Sequence, residues 1–235
     1  MNKNQLPACS NCSTRHLSVF ANVNSDTLNK VSSSKRCLHF KKGQELLHEG
    51  ISANGIYCIH SGKLKFSRLG TEGKEQIIRF GKAGDIVGYR SILSQEAVSA
   101  NIVALTDVDA CYIPKDVILN LITKDGDFTK ALLTTACHEL GEAGKIITNL
   151  AQKTVRERLA EVLLILESTF GVTEEGYIDV ILKREELANV VGTATETVIR
   201  FLSEFKSDKY VEFKGSKIKI LNRNKLADTG SVFDY

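Results

Sequence analysis

Two periods of hydrophobic residues divide this chain. From about Val31 to Pro114, short alternating or β-branched runs recur: Gly55-Ile-Tyr-Cys-Ile-His60, Gly62-Lys-Leu-Lys-Phe-Ser67, Gln76-Ile-Ile-Arg-Phe80 and Ala100-Asn-Ile-Val-Ala-Leu105. Glycines at 43, 50, 55, 62, 70, 73, 81, 84 and 88 punctuate them. Short strands separated by turn signals at this spacing predict an antiparallel sandwich or barrel-like roll. Beyond Asp127 the period lengthens. Leu132, Ala136, Leu140, Ala143, Ile147 and Leu150 follow one another at steps of three and four. That is close to the 3.5-residue repeat of a coiled-coil seam and predicts a dimerisation helix over 127–150. Small residues Ala136, Gly141, Ala143 and Gly144 favour close approach of a partner helix, although the glycines weaken the helix itself.

A second helix is predicted over Val155–Phe170, with Leu159, Leu163, Leu166 and Phe170 in one stripe and Gly171 as its stop. A short β-like run, Tyr177–Leu182, comes next. Two helical segments then flank Gly192, where glycine permits a sharp turn. Leu187, Ala188 and Val191 face inward on the first, and Val198, Phe201, Leu202 and Phe205 on the second. Thr193-Ala-Thr-Glu196 has the form of a capping box, which starts the second helix at Thr193. Alternation returns in Tyr210–Phe213 and Lys217–Leu221, separated by Lys214-Gly215-Ser216, which makes a hairpin.

Two short helices about a glycine turn form a helix-turn-helix, whose second helix enters the DNA major groove by its N-terminal residues. Those residues are Thr193, Thr195, Glu196, Thr197, Ile199 and Arg200. Arg200 can donate to guanine O6 and N7, and Glu196 can accept from cytosine N4. The hairpin is the wing, bringing Lys214 and Lys217 to phosphate. Glu196 has a competing role as a helix cap.

Composition narrows the classes. Of 235 residues 43% are hydrophobic and 25% charged, an ordinary globular balance. No run approaches the roughly 18 apolar residues of a membrane span, and Met1–Leu6 is polar, unlike a secretion signal. A cytoplasmic protein without a membrane partner is expected. The net charge of +3 says little, but Lys183–Lys225 carries ten Lys/Arg against six Asp/Glu, a local excess suited to nucleic acid. No nucleophile elbow, phosphate loop or H-E-x-x-H occurs, so no enzyme is expected. Six cysteines in a cytosolic chain argue for thiols, not disulfides. Cys37, Cys58 and Cys137 sit among apolar residues and are expected to be small core residues. Cys9, Cys12 and His16 have zinc-like spacing, which Cys111 could complete; a reversible Cys9–Cys12 disulfide is the alternative.

The glycine-punctuated roll, the seam helix and Val191-Gly-Thr-Ala-Thr-Glu-Thr-Val-Ile-Arg200 together resemble the cyclic-AMP receptor protein / fumarate-nitrate reductase regulator (CRP/FNR) family, closer to its oxygen-sensing branch. The resemblance spans Cys9 to about Thr229. It implies an α+β fold of four parts: a Cys-containing segment (1–20), a cyclic-nucleotide-binding-like β-roll (21–125), a dimerisation helix (126–152) and a winged helix-turn-helix domain (153–235). It also implies a homodimer on a palindromic double-stranded DNA operator, with RNA polymerase as a further partner. Cysteines of the oxygen-sensing branch hold a [4Fe–4S] cluster; Cys9, Cys12 and Cys111 match three of them, whereas the third N-terminal cysteine is replaced by Ser18, with His16 and Asp26 as conceivable substitutes. At the nucleotide-binding members' phosphate turn stands Gly84-Asp-Ile-Val-Gly88, and Val98-Ser99 replaces their Arg-Ser pair. Without that arginine the phosphate loses its bidentate partner, so cyclic AMP is not expected to bind in the usual manner. The base-reading Glu and Arg are Glu196 and Arg200; Ile199 replaces a serine before the arginine, which changes the expected half-site. A small-ligand or metal-binding module with no DNA-reading role is the rival from another class.

Overall fold

The computed structural model of the protein describes residues 6–231. The polar start of the chain and the last four residues of the expected DNA-binding domain lie outside them. The chain forms two compact units, one running up to Arg68 and including Phe80–Glu142, the other made of Leu69–Arg79 and Ala143 onward.

Two 3₁₀ turns, Cys9–Asn11 and Arg15–Leu17, precede helix α1 (Ser25–Ser34). The strands β1 (Arg36–Phe40), β2 (Glu45–Leu47), β3 (Gly55–Ser61), β4 (Leu64–Leu69), β5 (Glu75–Gly81) and β6 (Ile86–Val87) follow. A one-and-a-half-turn helix α2 (Tyr89–Ser94), strands β7 (Asn101–Ala104) and β8 (Val108–Pro114), and helix α3 (Lys115–Lys124) lead to the long helix α4 (Gly126–Gln152). The strands make two four-stranded sheets, β1-β8-β3-β6 and β2-β7-β4-β5. Each strand run expected in the roll is a strand, because alternation buries one face per sheet: Ile56, Ile59, Leu64, Ile102, Val108 and Ala110 are at most 4% exposed. Helix α1 packs on α3, on β8 and on the Cys9–Asn11 turn. The N-terminal segment is anchored by Phe20, whose ring lies 5.1 Å from that of Phe128 at the start of α4. Asp125, buried in the α3–α4 joint, caps α4 by accepting from the Phe128 N–H at 2.9 Å.

In the second unit, α5 (Val155–Phe170) begins at a reciprocal capping box, Thr154 with Glu157, and stops at Gly171. Glu157 is held below the usual carboxylate range by the Thr154 hydroxyl and N–H. Leu159, Leu163 and Leu166 are essentially inaccessible. Helices α6 (Arg184–Val191) and α7 (Thr195–Ser207) pack on α5, and the hairpin of β9 (Val211–Lys214) and β10 (Lys217–Ile220) precedes α8 (Arg223–Thr229). Tyr177–Leu182 is not a strand. Ile178, Val180 and Leu182 do alternate into the core, but the backbone forms only the bridge Val172↔Ile178 and one further bond from the Ile178 N–H to the Ile218 carbonyl. The residue pattern reports burial, whereas a strand needs a continuous backbone partner.

Candidate nucleic-acid interface and thiol cluster

The turn between α6 and α7 is built by Gly192, which adopts φ +72° and caps α6. Thr193 still belongs to that turn, its N–H bonded back to the Ala188 carbonyl. The recognition-type helix therefore starts at Thr195, with Ala194 at its N-cap and no side-chain cap. The expected Thr193–Glu196 capping box is corrected accordingly: closing the α6 turn takes the backbone position that a cap would need. Glu196 is thereby left without a capping role at the N-terminus of α7.

Val198, Leu202 and Phe205 are buried at 0%, 2% and 0% exposure and fix the rotation of α7. The opposite stripe, Glu196, Ile199, Arg200 and Ser203, faces solvent at i, i+3, i+4 and i+7. Ile199 is 48% exposed, a large apolar side chain held in water. Phe201 is only half-buried; the Arg200 guanidinium lies 4.2 Å from its ring centroid and pairs with Glu204 at 3.3 Å. Thr195 and Thr197 are half-buried beside this stripe. Ser203 is absent from the residues expected to read DNA, though its i+7 spacing from Glu196 places it on the same stripe. At the hairpin, Lys214 and Lys217 face each other across a two-residue loop in which Gly215 takes φ +62°. Both ammonium groups contact Glu175, at 3.5 and 3.9 Å. These exposed pairs are worth little in water and can be exchanged for phosphate.

Along α4, the exposed apolar positions differ from the expected repeat at its first member. Leu132 is 2% exposed and belongs to the core of its own unit. Leu133, Leu140 and Ile147 are 57%, 75% and 68% exposed. They recur every seven residues, as do Ala136, Ala143 and the 42% exposed Leu150. Starting the repeat at Leu132 misplaces its first member by one residue, about 100° around the helix.

The cysteines also depart from expectation. Cys37 pairs with Cys111 across β1–β8, and Cys58 pairs with Cys111 across β3–β8. Side chains directly opposite one another in an antiparallel pair share a face about 5 Å apart. Cys37, Cys111 and Cys58 thus form one rank across three strands, and Cys37 and Cys58 are neighbours of the candidate ligand, not scattered core residues. Cys137 is exposed on α4. The N-terminal segment brings Cys9 and Cys12 near these strands. The Cys9 N–H donates to Ser32 Oγ, and Lys35 Nζ donates to the Pro7 carbonyl close to the Cys111 thiol. Burial pushes the Cys111 thiol up to about 11 against the lowering effect of Lys35, with Cys37 adding to the rise. Burial also raises Cys9, and it raises Cys58 well above the usual thiol value, with Cys111, Cys9 and Cys12 adding to the latter. Cys12 Sγ lies 3.5 Å from His60 Nδ1. His16, by contrast, is exposed in the Arg15–Leu17 turn, and Asp26 is exposed in the first turn of α1. Among the described residues no three His, Cys, Asp or Glu side chains converge into a ready-made ion cage.

The Gly84–Gly88 turn is filled from the N-terminal side: a Cβ on Gly84 would stand 2.6 Å from Leu17 Cβ. Asp85 closes its own turn by accepting from the Lys82 N–H, and Arg90 pairs with Glu96 at the surface.

A β-roll and a winged helix-turn-helix together define the class, a DNA-binding transcription regulator. Residues 37–125 match the cyclic nucleotide-binding domain family, and residues 157–229 match the Crp-like helix-turn-helix domain family. The fumarate and nitrate reduction regulatory protein of Vibrio cholerae is 28% identical over 229 residues, covering 95% of this chain and 90% of the relative. The CRP-like cAMP-activated global transcriptional regulator of Mycobacterium tuberculosis is 26% identical, covering 89% and 94%. A solved CRP/FNR-family transcriptional regulator from Thermus thermophilus superposes with a TM-score of 0.71 at 26% identity, covering 83% and 98%. FixK2 from Bradyrhizobium japonicum shares the fold, with a TM-score of 0.76 at 22% identity over 85% and 99%. The chain belongs to the CRP/FNR family of transcription regulators, and its function is DNA-binding transcription regulation. No helix of the described residues is long and apolar enough to cross a membrane.

Proposed function

We propose that two copies of this chain join along α4 and read a palindromic duplex, each placing the N-terminal half of α7 in a major groove. The observation that carries this reading is the solvent-facing stripe Glu196–Ile199–Arg200–Ser203, held outward by the buried Val198, Leu202 and Phe205. Thr193, Thr195 and Thr197 flank that stripe within reach of the backbone, and Lys214 and Lys217 take neighbouring phosphates. Joining along Leu133, Ala136, Leu140, Ala143, Ile147 and Leu150 sets the distance between the two reading helices, which half-site spacing must match. The chain acts in the cytoplasm as a regulator with no catalytic role, and RNA polymerase is the machinery it influences.

The thiols form the sensing end. The donor chemistry fits an iron–sulfur group: Cys9 and Cys111 are both desolvated, Cys12 follows Cys9 in the same segment, and soft thiolate ligands favour iron–sulfur clusters or zinc over hard cations. Cys9, Cys12 and Cys111 would hold it, and a [4Fe–4S] centre would supply oxygen-sensitive redox chemistry there. This chain's own contribution is to exclude water and to tie the N-terminal segment to the β-roll. A signal that alters this attachment shifts the population of the DNA-competent dimer.

The test is selection from random duplex DNA by the full chain, prepared without oxygen and again after exposure to air. A palindromic consensus whose affinity falls steeply with salt and changes with air supports the whole reading. Failure to enrich any sequence under either condition refutes the DNA-reading assignment, and enrichment indifferent to air refutes the oxygen-sensing part alone.

A further inference from the structure

Ser18 occupies the position where the oxygen-sensing branch has its third N-terminal cysteine, and the structure gives its hydroxyl other work. Ser18 Oγ donates to the Arg15 carbonyl at 2.8 Å and accepts from the Phe20 N–H at 3.2 Å, closing the turn that anchors Phe20. It is a turn-former. Yet the thiols around Cys111 number more than three. Cys58 lies directly opposite Cys111 in the β3–β8 ladder. Cys12 Sγ lies 3.5 Å from Nδ1 of His60, two residues along the same strand, so the second thiol of the N-terminal pair stands against β3. Cys37 lies opposite Cys111 on the other flank, in β1, away from the strand that Cys12 contacts. Position thus separates two otherwise similar cysteines.

We propose that Cys58 supplies the fourth thiolate of the metal centre, so that the ligand set is Cys9, Cys12, Cys58 and Cys111, two from the N-terminal segment and two from adjacent strands of the β-roll. This rests on the reading that the thiol cluster is the sensing end. The consequence is mechanical. Two ligands on neighbouring strands are fixed by a hydrogen-bonded ladder, while the other two ride on a short segment held by the bonds from the Cys9 N–H to Ser32 and from Lys35 to Pro7. Loss of the centre then frees the N-terminal cover while the sheet stays intact. Lys35 remains beside the thiols and offsets part of the negative charge of a four-thiolate site.

The experiment uses the full chain, anaerobically, with ferrous iron and sulfide as the probe. Iron and sulfide per chain and the visible absorption are measured for wild type, Cys58→Ala, Cys37→Ala and Ser18→Ala, with circular dichroism to check folding. The expected result is a wild-type chain holding about four iron and four sulfide, as a [4Fe–4S] centre requires. Cys37→Ala and Ser18→Ala should match it, and Cys58→Ala should lose most of both. A second measurement needs no variant: alkylation and mass spectrometry of loaded against metal-free wild type should show protection gained at Cys9, Cys12, Cys58 and Cys111 and none gained at Cys37. If wild type loads but Cys58→Ala loads equally, or Cys58 gains no protection, the assignment of Cys58 is overturned and the sensing reading survives. If wild type takes up neither iron nor sulfide, both are overturned.

Discussion

Replacing Arg200 by alanine separates the two things this side chain can be: a base reader or a surface charge. In the free protein it is 61% exposed, pairs with Glu204 four residues on, and lies against the half-buried Phe201 ring. An exposed i,i+4 pair contributes about 0.3–0.5 kcal/mol, so the truncation leaves the fold of the second unit almost untouched. On DNA the balance reverses. One bidentate arginine–guanine contact discriminates by about 1–3 kcal/mol. A dimer with two reading helices therefore loses about 2–6 kcal/mol, which at about 1.4 kcal/mol per decade is roughly thirtyfold to twenty-thousandfold in affinity. Fluorescence anisotropy on the duplex enriched by wild type measures this, with size-exclusion chromatography and thermal melting as controls. The loss should be concentrated on duplexes with guanine at the read position, since a lost phosphate contact weakens all sequences alike. Equal affinity and unchanged base preference in a folded Arg200→Ala dimer would refute the placement of α7 in the groove.

Two further outcomes follow from the same structure. Leu140→Glu with Ile147→Glu puts charges on the most exposed apolar positions of α4; light scattering should give a monomer at micromolar concentration with unchanged circular dichroism, and a dimer that persists would sink the seam. Thr154→Ala removes the α5 capping box and should cost about 1 kcal/mol in denaturant melts. Because the folded-state pKa of Glu157 is lowered, the cap's contribution is present above its unfolded value and lost as pH falls through the folded one, so the difference between the two proteins should shrink in acid.

The sequence determined the elements and their order wherever burial is periodic. The strands at 55–61, 64–69, 75–81 and 101–104, the helix Val155–Phe170 and the hairpin lie where the alternation put them, because a side chain's face follows from its spacing alone. The basic terminal segment and the Gly192 turn were equally legible. Tertiary structure decided what spacing leaves open. Which of Leu132 and Leu133 faces the core depends on what packs against α4, not on the heptad. Whether Tyr177–Leu182 becomes a strand depends on a neighbour with free backbone groups. Whether Thr193 caps α7 depends on how α6 closes. Above all, Cys37, Cys58 and Cys111 are 21 and 53 residues apart along the chain, and only the pairing register of β1, β8 and β3 sets them in one rank. Register is a long-range property: a slip of one residue would have turned each of these thiols to the opposite face.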